Sequence, residues 1–387
     1  MHVLIAPDSF KGSLSALTAA RAMQRGLIRI FPEATSRLAP IADGGEGTVE
    51  AMTAATGGRV MLARVSGPLG EPLEAGWGFL GDGRGAVVEV AAASGLTLLR
   101  REEQNPLLTD SYGTGELIRL ALNALHTGAE SPPRLVVGLG GSASNDGGAG
   151  CLRALGARFL DAKGRELPPG GAALARLHSL DLSKLEPLLG RTEIMVACDV
   201  DNPLCGPEGA SAVFGPQKGA TPAMVAELDA ALERFADVAE QATGRKVRDL
   251  PGAGAAGGLG AAFLLFTGGR LMPGADLVFS VSGLEREMPA VDLVLTGEGQ
   301  TDGQTARGKA PARLARLAKR YGKPVICISG ALGRDAEAVL EQGIDALGSA
   351  VCSVITLEEA LAGAEPALEQ ATARSLRLLR LGGELKL

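Results

Sequence analysis

Short apolar runs stop at glycine-rich polar turns and then give way to helical spacing, and this repeating arrangement restricts the chain more than any other feature. HVLIA (2–6) runs into PDSFKGS (7–13) and then into LSALTAARAMQRGLIRIF, whose apolar residues recur at helical intervals. Read as no more than a helix start, that turn would have Ser13 as its cap and Lys11 solvated, but its residues favour a functional loop. SRLAPIA (36–42) ends in DGGEG and a second helix, TVEAMTAAT. Strand, glycine turn, helix, strand predicts a parallel sheet with helices on its faces. DLVLTGEG (292–299), PVICISGA (324–331) and DALGSAVC (345–352) repeat the style near the end, with PARLARLAKRY as a helix between the first two. Five such strands predict a flavodoxin-like doubly wound sheet of order 2-1-3-4-5.

The stretch between breaks that rhythm. Residues 59–91 alternate around the turns PLGEP and GDGRG, which predicts antiparallel hairpins. A helix near 113–125, the buried-type strands RLVVGLGG (134–141) and EIMVACDVD (193–201), and a long helix near 221–242 follow. A length of 387 residues exceeds what one core usually supports. The expectation is therefore an α/β fold in which residues 1–54 and 288–387 form the flavodoxin-like domain. Residues 55–287 form a second, mixed α/β domain inserted into it, with the chemistry in the cleft between the two.

Composition removes several function classes. The net charge is −6 and the basic residues are scattered, so neither a nucleic-acid surface nor an anionic-membrane surface is expected. The five cysteines show no CxxC pairing, and the N-terminus carries no secretory core, so a cytoplasmic protein with reduced thiols and no membrane span is expected. His2, His126 and His178 lie outside the glycine loops, which disfavours a zinc site or a Ser-His-Asp triad.

Five loops combine glycine with chemistry-bearing side chains. PDSFKGS offers Asp8, Ser9 and Lys11 ahead of a helix, at the switch point of the proposed sheet. DGGEGT sets Asp43 and Glu46 beside the bare backbone of Gly44 and Gly45, a pairing suited to magnesium with phosphate. GLGGSASNDGGAG brings Gly140, Gly141 and Ser142 as an amide nest, with Asn145 and Asp146 to orient a substrate or a metal. ACDVDNP places Asp199 at the end of a buried strand. TGEGQTDGQTARGKAP contributes Glu298, Asp302, Gln304 and Lys309. Its Gly303–Lys309 stretch nearly spells a phosphate-binding GxxxxGK, but Ala310 stands where Ser or Thr is needed and the strand ends too early. PGAGAAGG matches GxGxxG at Gly252, Gly254 and Gly257 without a preceding strand, so it is a weak sign of a dinucleotide.

Taken in order, APDSFKGSLSA, ADGGEGT, GGSASNDGGAG, FGPQKGA (214–220), PGAGAAGGLGA and TGEGQTDGQTARGKAP resemble the successive motifs of the bacterial type I glycerate kinase family, from residue 1 to about 360. The resemblance implies ATP-dependent phosphorylation of D-glycerate in glyoxylate-linked metabolism, with 2-phosphoglycerate favoured over 3-phosphoglycerate. It also implies ATP and Mg²⁺ as partners of the site. In that setting Lys11 and Lys218 are expected to neutralise phosphate or the glycerate carboxylate, with Lys309 as a third candidate. One of Asp8, Asp43, Asp199 and Asp302 is expected to deprotonate or orient the hydroxyl, with Asp199 favoured, and one or two to hold Mg²⁺. The rival readings are an NAD-dependent hydroxy-acid dehydrogenase and a non-catalytic small-acid binding protein. Whether the chain pairs as a homodimer is not legible.

Overall fold

The computed structural model describes residues 1–127 and 132–384. It separates into two compact units. The first comprises Met1–Asp43, Glu50–Gly57 and the chain from Ala275 onward; the second comprises Gly44–Val49 and Gly58–Gly274.

In the first unit the strands His2–Ile5, Thr35–Leu38, Leu293–Thr296, Val325–Ser329 and Ala346–Ser349 form one all-parallel sheet. Counted along the chain, their spatial order is 2-1-3-4-5, as the apolar runs predict. The helices flank both faces, so the strands must be apolar on both sides. Val3, Ile5, Leu295 and Ile328 pack with Met23, Leu27 and Leu376 in one core. Leu4, Val294, Val325 and Cys327 pack with Leu314, Leu317 and Ala318 in the other. Each such side chain contributes roughly 1.5–3 kcal/mol by leaving water.

The second strand is shorter than SRLAPIA suggests because Pro40 has no N–H to donate. Its pairing with the first strand nevertheless continues, through Ala39 N–H to Ile5 O and Ile41 N–H to Pro7 O, both 2.9 Å. The helix Ala16–Ile30 is capped by Ser15, whose hydroxyl accepts from Thr18 N–H, rather than by Ser13, which donates to Phe10 O. The C-terminal segment carries no motif, yet it forms the helix Ala364–Glu384 packed on Ala16–Ile30. Gly26 allows that approach, since a Cβ there would stand 2.6 Å from Glu369 O. Arg25 bridges Glu365 and Glu369 at 2.7 Å each.

The second unit holds a six-stranded mixed sheet. Arg59–Ser66, Pro72–Phe79 and Gly85–Glu89 pair antiparallel in succession, and from Gly85–Glu89 the sheet runs parallel through Arg134–Gly138, Glu193–Ala197 and Arg270–Met272. The helices Tyr112–Leu125 and Pro222–Thr243 supply Leu117, Ile118, Leu232 and Phe235 to its core. The five cysteines are all free, and among the described residues no helix is long and apolar enough to cross a membrane.

Candidate active site

In the first unit, four strands deliver their following loops to one floor. Backbone hydrogen bonds continue the sheet past the strand ends: Asp8 N–H to Gly297 O (2.8 Å), Gly330 N–H to Glu298 O (3.0 Å) and Val351 N–H to Gly330 O (3.0 Å). A cleft of about 540 Å³ opens above this floor. Asp8, Lys11, Asp43, Glu298, Asp302 and Lys309 line one part of it.

The carboxylates there press on one another. Burial pushes the Asp8 carboxyl up to about 7, and the negative charges of Asp43 and Glu298 push the same way. Ser9 N–H, 2.6 Å from Asp8 Oδ1, and the Lys11 ammonium pull against them. Glu298 is also raised by burial, although Thr305 Oγ1 donates to it at 2.6 Å and the Lys309 ammonium lies 3.8 Å away. A chain of hydroxyls fixes Glu298. Thr301 Oγ1 reaches it at 3.3 Å and pairs with Ser329 Oγ at 2.7 Å, while Ser329 Oγ accepts from Glu298 N–H at 3.3 Å.

Asp302 has a local task as well. Its Oδ1 accepts from Gln304 N–H (2.8 Å) and Thr305 N–H (3.4 Å), capping the single turn Gly303–Ala306. Those amides are therefore occupied, which is a second reason against a phosphate-binding GxxxxGK loop. Gln304 is exposed, and Lys309 stands at the cap of the helix Ala310–Arg320 with its side chain partly exposed.

The second unit uses its glycine loops differently. The DGGEGT and GLGGSASN segments cross with backbone directly on backbone. A Cβ on Gly140 would lie 2.6 Å from Gly45 Cα, and one on Gly138 would lie 2.5 Å from Gly44 O. Gly140 N–H donates to Gly44 O at 3.1 Å, so that amide is taken by the protein itself. Gly141 has a φ of +75°, which favours glycine. Glu46 is exposed. Glu89, which spacing arguments miss, is buried and accepts from the N–H groups of Gly47 and Val49, fixing the turn. Its one signal in the sequence is an acid ending the apolar strand GAVVE.

Asp146 is buried and takes four hydrogen bonds: Ser111 N–H (3.0 Å), Ser111 Oγ–H (2.7 Å), Gly148 N–H (3.1 Å) and Gly150 N–H (3.0 Å). Asn145 is equally buried; its Nδ2 donates to Ser211 Oγ at 3.0 Å, and its Oδ1 has no partner among the described residues. The Lys218 ammonium donates to Ser142 Oγ at 2.9 Å and to Ser144 O at 2.6 Å, and burial lowers it to about 8. Asp199 is exposed beyond the strand Glu193–Ala197, with Oδ1 accepting from Gly274 N–H at 3.1 Å. The PGAGAAGG loop packs on this region. A Cβ on Gly257 would lie 2.2 Å from Ser144 O, and Gly147 N–H donates to Gly257 O at 2.9 Å. Packing thus accounts for the glycines that imitate a dinucleotide fingerprint, and the dehydrogenase reading loses its support.

The structure therefore brings Asp8, Ser9, Lys11, Asp43, Glu298, Asp302 and Lys309 together in the first unit. It gathers Ser142, Asn145, Asp146 and Lys218 in the second, and it leaves Asp199 exposed beyond its strand.

Comparison with known proteins identifies the family. The glycerate kinase family matches residues 3–380. Glycerate kinase of Bacillus subtilis is 52% identical over 97% of both chains, and glycerate 2-kinase of Escherichia coli is 49% identical over 99% of both. The crystal structure of a putative glycerate kinase 2 from Salmonella typhimurium superposes with a TM-score of 0.89 at 48% identity and covers the whole of both chains. The chain belongs to the glycerate kinase family and is a phosphotransferase.

Proposed function

We propose that the protein transfers the γ-phosphoryl group of ATP to a hydroxyl of D-glycerate, giving 2-phosphoglycerate in preference to 3-phosphoglycerate. The observation that carries this reading is the group of mutually repelling carboxylates at the carboxyl ends of parallel strands, flanked by Lys11 and Lys309. Phosphoryl transfer asks for positioning and charge compensation, and this cleft has groups for both.

Asp8 is the group we assign to the substrate hydroxyl. Its carboxyl titrates to about 7, so near neutrality it exchanges a proton readily, as a general base needs. This replaces Asp199 as the favoured base, since Asp199 is exposed and its Oδ1 accepts from Gly274 N–H. Lys11 and Lys309 neutralise the β- and γ-phosphates. Glu298, held by Thr301 and Thr305, positions the Lys309 ammonium. In the second unit, Lys218, Ser142 and Asn145 remain candidates for binding an anion, while Asp146 is left to hold its loop.

Mg²⁺ fits the donor set. The lining has five carboxylates against two lysines and one arginine, so a polyphosphate entering alone would meet net negative charge. Among the described residues no cluster of three or more His, Cys, Asp or Glu is placed to hold a metal ion by itself. Magnesium commonly uses only one or two carboxylates and takes its other oxygens from phosphate and water. Asp43 with Asp302 would supply those carboxylates, leaving Asp8 to the substrate hydroxyl, and the ion would offset charge on the transferring phosphoryl group.

ADP release coupled to a spectroscopic assay, with D-glycerate, ATP and Mg²⁺, tests the reading, and phosphorus NMR identifies the product. Release that requires glycerate supports it, and the phosphorus–proton coupling distinguishes the two phosphoglycerates. ADP release with a different hydroxy acid in place of glycerate would replace the substrate.

A further inference from the structure

The cleft of the first unit has two chemically unlike ends. The charged end belongs to the loops after the first and third strands of the sheet, with Asp43 added from the loop after the second. The other end is built by the loop after the last strand and by the C-terminal helix, and Val351, Ile355, Leu361 and Ala364 line it. Ile355 and Leu361 are exposed in the protein alone. The two ends share one floor, since Val351 N–H donates to Gly330 O and Gly330 N–H to Glu298 O.

The far wall is firmly held. Thr356 and Glu359 cap one another, so the Glu359 carboxylate is occupied by Thr356 N–H (2.8 Å) and Oγ1 (2.9 Å). The helix Ala364–Glu384 is fixed against Ala16–Ile30 by the close approach at Gly26 and by the Arg25 ion pairs. Gln370 also lines this end, and its amide has no partner among the described residues.

Glycerate carries an oxygen on every carbon and has no apolar face to bury. A nucleoside triphosphate does match a two-ended cleft, with a flat, largely apolar base at one end and a polyanion at the other. About 540 Å³ is also in the range of pockets that enclose ligands of this size. We propose that the base and ribose of ATP lie between Val351, Ile355, Leu361 and Ala364, with the triphosphate directed toward Lys11 and Lys309 and the Gln370 amide pairing with an edge of the base. An amide carries one acceptor and two donors, which matches the amino group and ring nitrogen of adenine. The proposal rests on the ATP-dependent reading above and adds where and how the nucleotide sits.

The test compares the parent with Ile355→Asp, an exposed position where a charge leaves folding intact, and with Gln370→Ala. Calorimetry of ADP binding and steady-state kinetics are run on each, with Mg²⁺-tripolyphosphate as a competitor that lacks the base. Ile355→Asp is expected to weaken ADP binding and raise KM for ATP at least ~10-fold. KM for glycerate and inhibition by tripolyphosphate should change less than about twofold, since the charged end is untouched. Gln370→Ala should lower the preference for ATP over ITP. A rise in the KM for glycerate instead, or unchanged ADP binding in both variants, would overturn the proposal. A parent that binds ADP in this way yet phosphorylates no glycerate would sink the functional reading and leave the nucleotide site standing.

Discussion

Asp8 and Asp146 both stand in polar, glycine-containing loops, and their surroundings are opposite. Asp8 accepts one backbone N–H and has the Lys11 ammonium nearby, but burial and the like charges of Asp43 and Glu298 outweigh both and push its carboxyl up to about 7. Asp146 sits deeper, and four hydrogen bonds from Ser111, Gly148 and Gly150 satisfy it. A carboxylate saturated with donors is a structural tie, whereas one crowded by other acids is under electrostatic stress that a substrate proton or a cation relieves. The second unit has a crowded acid too, since burial and the nearby Asp146 charge raise Asp110, but there Arg153 answers it at 2.7 Å, whereas the first unit leaves its crowded acids lining a cleft.

The comparison breaks most readily at Asp146. Asp146→Ala strands four buried donors, and urea unfolding should show a loss of about 3 kcal/mol or more. An unchanged midpoint would mean that Asp146 is no tie at all. Gly140→Ala comes next, because its new methyl group meets Gly45 Cα at 2.6 Å. Overpacking of this kind costs about 1–3 kcal/mol, and a silent substitution would show that the crossing loops have room.

Asp8→Asn should act in the other direction. A carboxyl that loses its proton near 4 when unfolded but near 7 when folded destabilises the native state as pH rises through that window. The deficit is complete above about 7 and absent below about 4. Thermal unfolding in EDTA should therefore find Asp8→Asn more stable than the parent at pH 8, by up to about 4 kcal/mol for a carboxyl raised from near 4 to about 7, with the difference vanishing toward pH 4. A variant less stable at pH 8 would place Asp8 among the satisfied acids.

Much of the sheet was legible. Within HVLIA, DLVLTGEG and PVICISGA the inner runs VLIA, LVL and VICI are apolar without a break because helices cover both faces, and the polar, glycine-bearing turns that follow locate the loops that carry Asp8 and Glu298. The tie on Asp146 was hidden, since its main partner, Ser111, lies 35 residues away and carries no motif. The glycines of DGGEGT and GLGGSASN look like phosphate loops because close backbone approach demands glycine for whatever reason the approach is made. The apolar end of the cleft was hidden for a related reason. Val351, Ile355 and Leu361 make contacts that depend on shape, and such contacts impose no spacing.

Turnover of Asp8→Asn measured beside Asp199→Asn, with glycerate and ATP saturating, tests the central claim most directly. The account predicts a fall of at least ~100-fold for Asp8→Asn with native circular dichroism, and a loss below about tenfold for Asp199→Asn. Near-normal turnover in Asp8→Asn, or the reverse order of the two losses, would contradict it.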